Sequence, residues 1–370
     1  MKRIAILFSV LLVTGFTAVA QRLHLPDNGA NYKNKISRRL ALTDIDITYN
    51  SPGVKGREGK IWNTDIAPFG FTVLGYGSIV ESPWRAGADE STTISFSTDV
   101  TINGMPLKAG KYGFFIALYN DSCTLIFNKN TEGWGSYFYN KDLDVLRVST
   151  KQQKDQQQSK ERLEYTFSKQ TAQSVEVAVE WERWRIPFTV TVDVVRTTLA
   201  SIQTQLSGDL GFEPAALQAG AQWCLQNNVN YEQALHWINT AVAPTLGGVK
   251  TFSALSTKAG LLTKLGRTQE ADALMKEAME NGTAVEIHGY ARQLLNQKKV
   301  NEAMEVFQFN YKKHKGAFPT NAGLMRGYSA LGDLKNALKY AKLALAQSPD
   351  EGNRKALEAA IKTLEEGKAL

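Results

Sequence analysis

Six residues in the first half of the chain carry side chains suited to recognition: Arg57, Trp84, Arg85, Glu90, Lys129 and Trp134. The two indoles offer flat apolar faces for stacking. The guanidinium fork matches a carboxylate through two parallel N–H donors, and the carboxylate and ammonium add charges of either sign. Brought together by the fold, this set suits a glycan, a peptide carboxylate or another small anionic ligand. The competing assignment is structural: Trp84 in a core, with Arg85 and Glu90 forming an ion pair that pins the turn around Gly87.

Sequence signals for catalysis are missing. The four histidines, His24, His236, His288 and His314, stand alone, without the paired spacing of a zinc site. No Gly-x-Ser-x-Gly elbow occurs. Gly75-Tyr-Gly77 lacks the third glycine and the following helix of a dinucleotide loop. Asp142 and Asp144 are close, but on a strand they face the same way and read as solvated charge rather than as an acid and base. No cofactor and no metal are expected, and a non-enzymatic role is favoured.

The elements that must position these residues fall into segments of different character. Residues 1–20 read as a cleavable signal peptide: Lys2 and Arg3, then apolar Ile4 to Val13, then Ala18-Val19-Ala20 before Gln21. The apolar stretch is short of the ~20 residues that span a bilayer, so no membrane insertion is expected and the protein is placed in the periplasm or outside the cell. Without Lys2 and Arg3 the charge balance is 41 basic against 36 acidic residues, a mild and scattered excess of +5 that gives no footprint for nucleic acid. Cys123 and Cys224 lie in apolar runs of different segments and read as buried, unpaired thiols.

From about residue 43 to 195 the apolar spacing is mostly that of strands. Ile45, Ile47 and Tyr49 alternate, as do Ile94 and Phe96, and Val175, Val177, Val179 and Trp181. Tyr112–Leu118 and Leu125–Phe127 are continuously apolar, as strands covered on both faces would be. Ile186–Val195 alternates too, with Pro187 placed at its beginning, where a ladder donor is least missed. Asn103-Gly104 marks a two-residue hairpin. The polar run from Lys151 to Lys160 reads as a loop protruding into solvent. Many short strands separated by turns predict an antiparallel β-sandwich or barrel over residues 21–196.

After a linker at 197–213 the period becomes helical and repeats over 214–352. Each of four segments runs from a turn through acidic or polar residues to a small alanine: Ala234, Ala271, Ala303 and Ala337, spaced 37, 32 and 34 residues apart. Twelve residues before these alanines stand Gln222, Ala259, Ala291 and Met325; nine before stand Leu225, Leu262, Leu294 and Tyr328. This pattern resembles the tetratricopeptide (TPR) repeat. The resemblance implies a C-terminal α-solenoid of helical hairpins, with 353–370 as a capping helix.

The β-rich segment carries its own set of motifs. They include Ser51-Pro52, Val54-Lys-Gly-Arg57, Ile61-Trp62, Pro68-Phe-Gly70, Trp84-Arg-Ala-Gly-Ala-Asp-Glu90, Ala109-Gly-Lys-Tyr-Gly113, Ile126-Phe-Asn-Lys129, Trp134-Gly135 and Asp144-Val-Leu-Arg-Val148. In this order they resemble domain of unknown function family 2911, a family of exported bacterial proteins, over about residues 40–195. The family carries no known activity. The chain departs from its pattern at Phe71–Pro83, an insertion ahead of Trp84 and Arg85. The expectation for function is an exported interaction or scaffold protein that holds a protein or peptide partner on its repeats. The alternative is a β domain that binds a glycan or small ligand and is conceivably hydrolytic.

Overall fold

The structure, a computed structural model, describes residues 30–370. The predicted signal peptide lies outside the described residues. Contacts divide the chain into two units, at 197 and 198, and each is treated by itself.

The first unit is a sandwich of two antiparallel sheets. One has six strands in the order β1-β2-β5-β8-β9-β10: β1 (Asn31–Leu40), β2 (Thr43–Pro52), β5 (Thr93–Phe96), β8 (Gly110–Leu118), β9 (Cys123–Asn128) and β10 (Asp144–Thr150). The other runs β11-β12-β13-β6-β7: β11 (Lys160–Ser168), β12 (Ser174–Glu182), β13 (Trp184–Thr191), β6 (Val100–Ile102) and β7 (Met105–Leu107). Alternation sets the facing. Ile45, Ile47 and Tyr49 of β2 share one buried cluster with Val175, Val177, Val179 and Trp181 of β12, so the apolar faces of the two sheets close on each other. Burial of each such side chain contributes about 1.5–3 kcal/mol.

The continuously apolar strands have two covered faces. Phe114, Ile116, Leu118, Leu125 and Phe127 enter the core between the sheets. Phe115, Ala117 and Ile126 point the other way and are buried beneath Tyr139 and Phe71. The 71–83 insertion folds as a short hairpin of β3 (Thr72–Val73) and β4 (Glu81–Ser82), and its first residue, Phe71, is part of that cover. At Asn103-Gly104 both residues take positive φ, 46° and 85°, joining β6 to β7 as the primed turn of a tight hairpin requires.

Three local expectations differ from the structure. Pro187 lies inside β13, opposite Ala178, on a half of the strand that β6 does not reach, since β6 pairs only at Val190 and Thr191. The polar run 151–160 does not protrude: Gln153 and Arg185 exchange backbone hydrogen bonds of 2.7 and 2.8 Å, so the run covers that same open edge. The 197–213 linker is largely helical, with α1 (Val194–Leu206) followed by a 3-10 turn at Asp209–Phe212.

The second unit is an array of four helical hairpins. They are α2 (Pro214–Asn227) with α3 (Tyr231–Ala241), α4 (Phe252–Lys264) with α5 (Thr268–Asn281), α6 (Ala284–Asn296) with α7 (Val300–Lys313), and α8 (Phe318–Ala330) with α9 (Leu334–Ala346). α10 (Glu351–Glu365) packs on α9 and buries Leu357 and Leu364. The four signature alanines sit on the second helices and are fully or almost fully buried, because a small side chain lets that helix cross its partner closely. Where Met325 replaces the small residue, glycines make the approach instead. A Cβ on Gly323 would stand 2.5 Å from Phe307, and one on Gly327 2.6 Å from the Met304 sulfur. Helix starts are capped where the sequence allows it: Thr283 and Glu286 form a reciprocal capping box, and Asp333 and Asp350 accept from backbone amides.

Candidate functional site

Two of the six candidate residues meet at one cleft of the β domain. Its walls come from β1 (Lys33), the end of β2 (Thr48, Tyr49, Asn50), the turn leading into β5 (Glu90, Ser91), the start of β8 (Lys111) and the loop after β9 (Glu132, Trp134). The cleft encloses about 250 Å³. Lys33 Nζ lies 3.0 Å from Glu90 Oε1, and Asn50 Nδ2 donates to Glu90 Oε2. Burial pushes the Glu90 pKa up, but the hydrogen bonds, chiefly from Lys33, outweigh it and hold the carboxylate below its usual range. Lys111 stands 3.6 Å from Glu132. The Trp134 indole is 53% exposed at the rim. Its loop is tied down from Ser91, whose hydroxyl donates to Gly135 O at 2.7 Å and whose amide donates to Gly133 O at 3.0 Å.

Because both ammonium groups face carboxylates, the cleft presents paired rather than net positive charge. An anionic ligand would have to break those pairs before gaining its own. A neutral polyhydroxyl ring, which stacks on an indole and accepts or donates hydrogen bonds at its edge, fits this chemistry better.

The other four candidates are elsewhere. Trp84 is core, 3% exposed. It stacks 6.3 Å from Trp181 and meets Trp62 edge-on at 5.5 Å, while Trp62 lies flat against Trp184 at 4.4 Å. Arg85 lies 4.9 Å from the centre of the Tyr137 ring, donates to Asp89 O at 3.3 Å and is directly covered by Gly135. The postulated Arg85–Glu90 ion pair is therefore replaced by Lys33–Glu90, because the chain reverses between the two residues through Ala86 and Asp89, both with positive φ. Arg57 turns back on its own loop, donating to Val54 O at 2.9 Å and Gly53 O at 2.7 Å. Lys129 is exposed, and its backbone amide bonds to Leu143 O.

The insertion builds a second, larger cleft of about 820 Å³, lined by Phe71, Val73, Ile79, Val80, Tyr139 and Arg147 among others. Its hairpin docks through Ser78, whose amide donates to Tyr137 O at 2.7 Å. Neighbouring Gly77 has φ +75°, and a Cβ there would lie 2.1 Å from that same oxygen, so glycine is required. At this cleft Asp144 is not solvated charge, its side chain being only 7% exposed. It accepts from Tyr139 Oη at 2.6 Å, Arg147 Nε at 2.7 Å and Asn128 Nδ2 at 2.7 Å. Burial, then the bond to Asp144, raises the Tyr139 pKa well beyond the usual phenol range. Both cysteines are unpaired and buried, and burial pushes the Cys123 thiol up to about 12.

Sequence reasoning did not single out Lys33, Asn50 or Glu132, and named Lys111 only as part of the Ala109–Gly113 motif. Asn50 borders the Ser51-Pro52 motif, whereas Lys33 lies on a strand whose polar composition hides it. Among the described residues no cluster of three or more histidine, cysteine or acidic side chains has the arrangement of a metal site.

Residues 32–190, which run from β1 to β13, match the family model described as protein of unknown function (DUF2911). Among solved structures, the chain is similar to YrrB, titled a TPR protein with an unusual peptide-binding site, at 16% identity over 44% of this chain and 83% of that one, with a TM-score of 0.28. It is also similar to MamA from Desulfovibrio magneticus RS-1, at 16% identity over 42% of this chain and 94% of that one, with a TM-score of 0.27. Comparison with curated proteins finds no match.

Proposed function

We propose that this is an exported interaction protein whose helical array holds a protein or peptide partner. The observation that carries the reading is the outer row of α6. Packing within the hairpin consumes the side of α6 bearing Ile287, Ala291 and Leu294, yet Val285 remains 67% exposed and Gly289 has nothing within 4 Å of where a Cβ would stand. An apolar side chain beside an open backbone is the kind of surface on which repeat arrays seat extended ligands. The basic start, apolar stretch and small-residue triplet of residues 1–20 support export. Among the described residues no helix is long and apolar enough to cross a membrane.

The test is site-directed photocrosslinking in cells expressing the full chain. A photoreactive residue at position 285 should trap a discrete protein, and one at exposed Leu343 of α9 should not. Equal trapping at both positions, or none at 285, would defeat the reading.

The cleft at Glu90 and Trp134 favours a second role for the β domain, in binding a neutral glycan or similar small ligand. Its support is the exposed indole beside fully paired charges. Trp134→Ala should abolish retention on a glycan array without shifting the melting temperature; unchanged retention would remove this role.

A further inference from the structure

The array contains four arginines, and they divide into two kinds. Arg267 pairs with Glu270 at 2.7 Å and Arg354 with Glu351 at 3.8 Å. Among the described residues Arg292 and Arg326 have no hydrogen bond and no ion pair, although both are exposed. Their positions correspond. Arg292 follows Ala291 and Arg326 follows Met325, 34 residues apart, so each occupies the same place on the first helix of its hairpin. α6 and α8 pack against each other, which brings the two places side by side.

The two guanidinium groups feel one another. Burial first, and Arg292 second, lower the pKa of Arg326. Burial first, then the charges of Arg326 and Arg292, lower the pKa of His288 on α6, whose ring is 5.6 Å from Phe307 and whose Nδ1 has no hydrogen-bond partner. Two like charges on neighbouring helices, neither of them in an ion pair and with a neutral imidazole beside them, form an arrangement that an anion would relieve. Beside Arg292 the surface is open: Gly289 lies one turn before it, with nothing within 4 Å of where a Cβ would stand.

We propose that Arg292 and Arg326 are the recognition pair of the array, each holding one carboxylate of an extended acidic segment of the partner protein laid across α6 and α8. This rests on the peptide-holding reading above and adds the chemistry of the peptide. Packed helices lie about 8–10 Å apart, and a chain extended as polyproline II rises about 3.1 Å per residue with three residues per turn, so side chains three residues apart share one face about 9 Å from each other. The two carboxylates should therefore be about three residues apart, as in Glu-x-x-Glu.

The experiment is fluorescence anisotropy of the full chain with three labelled ten-residue peptides that differ only at the two spaced positions: Glu, Gln or Lys. The Glu peptide should bind most tightly, and less so as salt rises. Arg292→Gln and Arg326→Gln should each weaken it about tenfold, with Lys at either position retaining part of the affinity. Since neither side chain is paired, the melting temperature of these variants should not fall. The double variant R292E/R326E should prefer the Lys peptide. If the Gln peptide binds as well as the Glu peptide, or if the double Arg→Gln variant binds as the parent does, the acidic assignment is wrong and the peptide-holding reading stands. If none of the three peptides binds, this inference falls too, and the broader reading is then decided by crosslinking at position 285.

Discussion

Replacing Trp84 with alanine separates a core residue from a ligand-stacking one, and the structure gives the size of the effect. The indole is 3% exposed and contacts both Trp62 and Trp181. Removing a buried tryptophan to alanine costs about 3–5 kcal/mol through lost transfer and the cavity left behind. Loss of two aromatic pairings belongs at the upper end of that range. In urea, a slope of about 2 kcal/mol per molar converts this to a fall in midpoint of about 1.5–2.5 M. The assay is urea unfolding followed by near-ultraviolet circular dichroism, to which the tryptophan cluster contributes strongly. Trp84→Phe, which retains most of the volume, should recover more than half of the loss. A midpoint within about 0.3 M of the parent would refute the argument, since a cluster with Trp84 and Trp181 buried at its centre cannot lose one of them at so small a cost.

Ala303 is fully buried where α7 crosses α6, so Ala303→Leu should destabilise the array by about 1–3 kcal/mol or more; a neutral result in helix-monitored urea melts would contradict the close crossing. His288 gives a pH dependence. Burial first, then Arg326 and Arg292, lower its pKa from 6.5 to about 4. Between those values the unfolded chain binds a proton that the folded chain refuses, so stability is complete above pH 6.5 and declines as pH falls towards 4. The loss should approach roughly 2–3 kcal/mol. It is read as the difference in urea midpoint between pH 7 and pH 4.5, and His288→Gln should flatten it; an unchanged slope in that variant would assign the effect to another group.

The sequence by itself determined the architecture, because architecture follows from periodicity. A period of two in Ile45-x-Ile47-x-Tyr49 and Val175-x-Val177-x-Val179 can only present one apolar face to a facing sheet. Alanines recurring at intervals of 32 to 37 residues mark where helices must cross closely. Even the two-sided apolar character of Tyr112–Leu118 was legible, although not what covers its second face: Tyr139 and the inserted Phe71. Elements without an apolar period were invisible. β1, Asn-Tyr-Lys-Asn-Lys-Ile-Ser-Arg-Arg-Leu, is an edge strand held by ladder hydrogen bonds to β2, and of its ten residues only Leu40 is fully buried. The run 151–160 is held by backbone bonds that any side chains would permit.

The candidate site depended on tertiary structure for the same reason. Arg85 and Glu90 are near neighbours in sequence, yet positive φ at Ala86 and Asp89 sends one beneath Tyr137 and the other to Lys33, 57 residues away. Arg292 and Arg326 look like any surface arginines until the packing of α6 on α8 sets them beside each other. Residue type and local spacing specify which face is apolar. Which charges meet is decided by where the chain returns, and that only the folded molecule shows.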